Sequence, residues 1–123
     1  MIIEDDALNM KLATDLLQAE GYETLQVRDG GNAEQMVQTH WPNLILMDIR
    51  LPGRSGLQIA QSLKADPVMR IIPIIALTSF SGNETKDICR QYGCDDYLSK
   101  PISIQLFRET VEKHLNRLSA LAS

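Results

Sequence analysis

Apolar residues along this chain follow two periods, and the two take turns. Runs of strand length (Met1-Ile2-Ile3, Tyr22 to Val27, Asn43 to Asp48, Ile71 to Leu77, Tyr97 to Ser99) alternate with stretches where apolar residues recur every three or four positions. The helical stretches are 7–20, with Leu8, Leu12, Leu16 and Ala19; 32–40, with Ala33, Met36 and Val37; 55–65, with Leu57, Ile59, Ala60 and Leu63; 83–92; and 103–118, with Leu106, Phe107, Val111, Leu115 and Leu118. Punctuation falls between them. Asp5 or Asp6 is placed to cap the first helix and Gly21 to end it; Gly30-Gly31 turns; Trp41-Pro42, Asp66-Pro67 and Gly93 close the next three helices. The 83–92 helix has only Ile88 and Cys89 as clearly apolar residues, so it attaches loosely. Pro73 is tolerable near the start of its strand and counts against a fully paired centre.

Strict alternation of strand and helix predicts a parallel sheet covered on both faces, a doubly wound three-layer α/β sandwich in one domain over residues 1–123. Leu44-Ile45-Leu46-Met47 is apolar throughout, as in a strand buried on both faces; it delivers Asp48 at its carboxyl end, and Pro52-Gly53 breaks the chain soon after. That edge of an open α/β sheet is where ligands bind. Taken alone, Asp48 is equally an Asp that caps the next turn. Three other runs end in a comparable way: Ile3 meets Glu4-Asp5-Asp6, Leu77 meets Thr78-Ser79, and Ser99 meets Lys100-Pro101. With all four strands parallel, one edge gathers carboxylates, a hydroxyl and an ammonium. Crowded acids repel and partly protonate unless a cation neutralises them, and all-oxygen ligands select a hard divalent ion such as Mg2+.

Composition narrows the function classes. The chain has 123 residues, 44% hydrophobic and 23% charged, which suits a single globular core. A net charge of −4 with scattered Lys and Arg argues against a nucleic-acid surface, so no direct DNA or RNA binding is expected. The apolar runs fall far short of the roughly 20 residues of a membrane helix, and no basic stretch with an apolar signal core opens the chain; a cytoplasmic protein without a membrane partner is expected. Cys89 and Cys94 have no second pair of soft ligands, and His40 and His114 lack metal spacing, so the cysteines read as small, reduced, buried side chains.

The acidic Glu4-Asp5-Asp6, Asp48 followed by Leu51-Pro52-Gly53 and Gly56, Thr78, and Lys100-Pro101 together resemble the receiver domain of bacterial two-component response regulators, in order and along the whole chain. Within that family, the segments Glu4 to Leu12, Leu44 to Ile49 and Ser99 to Ser103 are most similar to single-domain cell-cycle regulators of the DivK type. The resemblance implies a flavodoxin-like (βα)5 sandwich with sheet order 2-1-3-4-5. It implies that Asp48 is the nucleophile that takes a phosphoryl group from a histidine kinase or histidine phosphotransfer protein, forming an aspartyl phosphate. Mg2+ is then held by Asp5, Asp48 and the main-chain carbonyl of Arg50, with Glu4 acting through water, and Lys100 gives a point charge to a phosphoryl oxygen. Pro101 matches the family proline after a cis Lys100-Pro101 peptide. Thr78 would donate its hydroxyl to the arriving phosphoryl group, and Tyr97 holds the switch-aromatic position. Their rearrangement would shift the surface of helix 4, strand 5 and helix 5 toward a downstream protein effector. Such a protein is a signalling phosphoacceptor, and catalyses only its own phosphorylation and dephosphorylation. A monomer is expected.

Some residues depart from the family pattern. Ser79 stands where a smaller Ala or Gly is usual. Arg50 and Phe80 flank the site without a carboxylate or amide to position hydrolytic water, which predicts slow self-dephosphorylation. Only Met1-Ile2-Ile3 precedes the acidic cluster, where a central strand runs about five or six residues; residues missing upstream are expected. The alternatives are a receiver-like module that engages a kinase or adaptor through helices 1 and 5 without phosphate turnover, and the receiver of a hybrid histidine kinase. A flavodoxin-like cofactor binder and a haloacid-dehalogenase-type phosphatase fit poorly: no Gly-rich loop follows the first strand, and Arg50 stands where the latter needs a second Asp.

Overall fold

Parallel strands need a crossover between them, and each intervening helix of this chain supplies one. The computed structural model describes residues 1–79 and 82–122, with side chains described through residue 116. In chain order the elements are β1 (Ile2–Ile3), α1 (Ala7–Ala19), β2 (Gln26–Val27), α2 (Ala33–His40), β3 (Ile45–Asp48), α3 (Gly56–Ala65), a 3-10 turn (Met69–Ile71), β4 (Ile74–Thr78), α4 (Asn83–Gln91), β5 (Asp96–Ser99) and α5 (Ile104–Ala122). The five strands form one parallel sheet in the order β2-β1-β3-β4-β5, the flavodoxin-like topology.

Alternation along the strands divides the core in two. Ile3, Ile45, Met47, Ile74 and Ala76 pack against α2 and α3 through Val37, Ile59, Ala60 and Leu63. Ile2, Leu46, Ile75, Leu77 and Leu98 pack against α1 and α5 through Met10, Ala13, Phe107 and Val111. Every residue of β1, β3 and β4 is buried, which is why these segments read as unbroken apolar runs.

Several boundaries differ from the sequence expectation. The fourth strand begins at Ile74, not Ile71: Pro73 has no N–H to offer the ladder, although its carbonyl accepts from Ile45 N at 2.9 Å. Asp66 nucleates the 3-10 turn instead, accepting from Val68 N and Met69 N at 2.8 and 2.9 Å, and leaves Ile71 exposed. Only Gln26–Val27 of the second run pair as a strand, because β1 offers just Ile2 and Ile3 to pair with. Leu8 and Leu106 are exposed because each stands off the buried face of its helix, which Met10, Ala13 and Leu17 set in α1 and Phe107 and Val111 set in α5; Ala19 is exposed as well. Leu118 falls outside the described side chains.

The caps follow local chemistry. Asp6, not Asp5, caps α1, accepting from Asn9 N at 2.9 Å. Ser55 and Gln58 form a capping box on α3. α4 ends with Gly93 at φ 89° and a Cys94 N to Cys89 O bond of 2.9 Å, the 6→1 pattern of a Schellman end, with the two buried cysteine side chains in contact across it. Ile88 is exposed, so Thr85 and Cys89 are what α4 buries.

Gly56 decides how closely α3 approaches β3. Its N–H donates to Ile49 O at 2.8 Å, and a Cβ there would sit 2.2 Å from the Asp48 carbonyl oxygen, a backbone atom with no room to give. Gly56→Ala is expected to destabilise the protein by about 3 kcal/mol, the upper range for overpacking, read from urea denaturation. A loss below about 0.5 kcal/mol, the size of an ordinary surface change, would show that the loop can shift freely.

Candidate functional site

The sheet register carries four polar side chains to one edge. Ile3 is paired with Met47, so Glu4 and Asp48 come next on adjacent strands; Leu77 is paired with Asp48, and Thr78 with Ser99, so Thr78 and Lys100 complete the row. Glu4 and Asp48 share their strand parity with Ile2 and Leu46, and therefore leave the sheet on the same face.

Lys100 binds this edge together. Its Nζ lies 2.8 Å from Asp48 Oδ2, 3.3 Å from Glu4 Oε1 and 3.2 Å from Glu4 Oε2. The Lys100-Pro101 peptide is cis, and Lys100 N donates to Thr78 O at 2.7 Å. Asp48 Oδ1 accepts from Arg50 N at 2.9 Å, so both carboxylate oxygens are held, one by an ammonium and one by a backbone amide. Glu4 Oε1 accepts from Asp6 N at 3.2 Å, while Glu4 Oε2 is buried and accepts no hydrogen bond.

Electrostatics here are dominated by burial. Burial and then the neighbouring Asp48 charge push the Glu4 carboxyl up to about 7, against the opposing pull of Lys100. Burial works against the Lys100 charge as well, but Asp48 and Glu4 outweigh it and hold the ammonium above its ordinary value.

Glu4, Asp5 and Asp48 each place a carboxylate oxygen within 4.8 Å of the others, with Glu4 and Asp48 buried and Asp5 exposed. The donor set is hard and all-oxygen, it carries more negative charge than Lys100 alone can offset, and one buried oxygen has no hydrogen-bond donor. Those features fit a divalent cation of the Mg2+ class. A cavity of about 520 Å³ lies at the opposite edge beside Met1, Tyr22, Trp41 and Leu44. Chemistry and cavity volume therefore part company, and the gathered charges mark the better candidate site.

Thr78 is buried at the end of β4. Tyr97 is half-buried and packs toward the α2–α3 side of the core. Ser79 is exposed, and Phe80 lies outside the described residues. Sequence reasoning missed Arg54 and Glu34, which form a bidentate pair at 2.7 and 2.8 Å just behind the β3–α3 loop. Separation by 20 residues hides such a pair from any local spacing rule.

Comparison with known proteins agrees with this architecture. A family model described as the response regulator receiver domain matches residues 1–112. The chain is 49% identical over 115 residues, 94% of each chain, to the polar-differentiation response regulator DivK of Brucella ovis. It resembles the receiver domain of a sensor histidine kinase from Pseudomonas aeruginosa, solved with a magnesium ion coordinated in the active-site cleft (30% identity, TM-score 0.84, 94% of both chains). It also resembles the signal receiver domain of a signal transduction histidine kinase from Syntrophus aciditrophicus (30% identity, TM-score 0.85, 94% of this chain and 87% of that one).

Glu4 generates a pH test. Its folded value of about 7 lies above the ordinary 4.5, so its contribution to stability is fully present below about 4.5 and is lost as pH rises through about 7. In metal-free buffer, Glu4→Gln is expected to stabilise the protein at pH 8, on the order of 1–3 kcal/mol, and to change little at pH 4. Urea midpoints in the presence of a chelator check this, and an equal effect at both pH values would contradict a buried, charge-strained Glu4.

Proposed function

The chain belongs to the response regulator receiver domain family, and on that premise we propose that it is the phosphoacceptor of a His-Asp phosphorelay, with Asp48 as the residue phosphorylated. The observation that carries this is the placement of the Lys100 ammonium 2.8 Å from Asp48 beside the Glu4 and Asp5 carboxylates. Asp5 and Asp48 with the Arg50 carbonyl would hold Mg2+, and Glu4 would act through water. When bound, the ion offsets the negative charge of the acids and of the phosphoryl oxygens.

An Asp48 carboxylate oxygen forms the new P–O bond as the P–N bond of a phosphohistidine breaks, and the departing imidazole keeps its electron pair and takes a proton. Arg50 N–H orients the carboxylate before transfer. Lys100, held in its charged form, stays beside the oxygens on which negative charge resides. The Thr78 hydroxyl then donates to the phosphoryl group, and Tyr97 follows the space that Thr78 leaves, which shifts the α4–β5–α5 surface presented to a protein effector.

The donors are a histidine kinase or histidine phosphotransfer protein, and the protein acts as a cytoplasmic monomer without nucleic acid or membrane. Among the described residues no helix is long and apolar enough to cross a membrane. The 49% identity to DivK of Brucella ovis over 94% of each chain supports a regulator of that kind.

Intact mass after incubation with Mg2+ and acetyl phosphate tests the reading. One phosphoryl adduct is expected, dependent on Mg2+ and absent in Asp48→Asn; Lys100→Ala is expected to slow its formation by about 100-fold, as for loss of one charge-stabilising donor. A folded protein that takes no phosphoryl group from acetyl phosphate or from phosphodonor proteins would leave a phosphate-independent binding module. Arg50 supplies no carboxylate or amide to position water, so the adduct is expected to last minutes or longer; decay within seconds in purified protein would contradict this.

A further inference from the structure

We infer that Arg54 and Glu34 are a positioning pair that holds the β3–α3 loop in the shape Mg2+ binding requires. The inference rests on the receiver reading above. Residues 49–55 run directly on from Asp48, and the loop's base is closed by the Gly56 N to Ile49 O bond of 2.8 Å and by the bridge between Arg50 and Ser55. Its tip turns through Pro52 and Gly53, which has φ 80° and open space on the Cβ side. The closed base fixes the loop's two ends, and its orientation is left to the side chains that tie it to its neighbours.

Arg54 ties that loop to a different layer. Its Nη1 and Nη2 donate to Glu34 Oε1 and Oε2 at 2.7 and 2.8 Å, and Nη1 also donates to Gly30 O at 3.4 Å. Glu34 stands in the first turn of α2 and is also held by Ser62 of α3, whose Oγ donates to Glu34 Oε2 at 2.9 Å. The Arg54 guanidinium beside it holds the Glu34 carboxyl down to about 2. Gly30 is buried, and a Cβ there would sit 2.5 Å from Ile59 Cδ1, so its missing side chain lets α3 pack closely on the β2–α2 turn that the Arg54 guanidinium also contacts. The planar fork thus fixes both distance and direction between α2 and the loop that carries Arg50, whose N–H already orients Asp48.

Position and charge predict different outcomes, which makes the pair testable. If Arg54 and Glu34 acted only through long-range charge, Arg54→Ala would strengthen Mg2+ binding and Glu34→Gln would weaken it. A positioning pair loses the same contact either way, so both are expected to weaken Mg2+ binding about tenfold, the lower range for groups that orient metal ligands. The double variant is expected to be no weaker than either single one, and Arg54→Lys, which keeps the charge without the fork, to fall between.

The measurements are Mg2+ titration calorimetry and amide hydrogen exchange over residues 49–55, with acetyl-phosphate labelling at varied Mg2+. Exchange in the loop is expected to speed up, and half-saturating Mg2+ to rise while the rate at saturating Mg2+ stays near wild type. Unchanged Mg2+ affinity in both variants, opposite signs, or additive losses would overturn the pair's role while leaving the receiver reading intact. A wild-type protein that binds no Mg2+ would overturn both.

Discussion

The carboxyl edge of this sheet depends on Lys100 standing between two buried carboxylates. Placing Glu4 and Asp48 side by side out of water is unfavourable, and one ammonium at 2.8 to 3.3 Å offsets only part of that cost. The unbalanced remainder shows in Glu4, whose proton is held up to about 7 and whose Oε2 has no hydrogen-bond donor. A core built for stability alone would replace such a cluster with apolar residues of similar volume. Its position on the edge where α/β sheets bind ligands fits a cluster completed by a charge that arrives from outside.

Holding that cluster in place is largely the work of the backbone behind it. The central strands β1, β3 and β4 are buried on both faces, so their register is fixed by two packed layers, and a slip of one residue would put each layer's side chains into the other and turn Asp48 away from Glu4. Gly56 brings α3 against the Asp48 carbonyl with no space to spare, and the capping box at Ser55 starts the helix there. The loop between them is short and closed at its base. Side-chain geometry at Asp48 is therefore inherited from main-chain geometry on either side of it.

Much of this was legible in the sequence, and the failures have physical causes. Unbroken apolar runs announced the central strands, and the polar residue ending each run announced the edge where Asp48, Glu4, Asp5 and Lys100 meet. The start of β4 was misplaced because hydrophobicity continues through Ile71 and Ile72, whereas hydrogen bonding cannot pass Pro73 and the Asp66 turn. Leu8 looked like core because it shares a helical spacing with Leu12, Leu16 and Ala19, whereas the face that packs on the sheet is centred on Met10, Ala13 and Leu17. The Arg54–Glu34 pair was invisible because the fold, not the chain, makes those residues neighbours.

The layers around the sheet are unequally anchored, and this decides where a change at the edge is absorbed. α3 buries Ile59, Ala60 and Leu63, whereas α4 buries Thr85 and Cys89. A fully buried aliphatic side chain is worth about 1.5–3 kcal/mol, so the apolar anchorage of α3 exceeds that of α4 by several kcal/mol. A new charge near Asp48 and Thr78 strains whatever it touches, and the strain is relieved at the lowest cost by the element held least. Tyr97, half-buried on β5 and packed toward the same side of the core as Cys89, lies along that path. On the proposed reading, the thin apolar stripe of α4 is what makes this helix, rather than α3, the one able to respond at a cost a single phosphoryl group can meet.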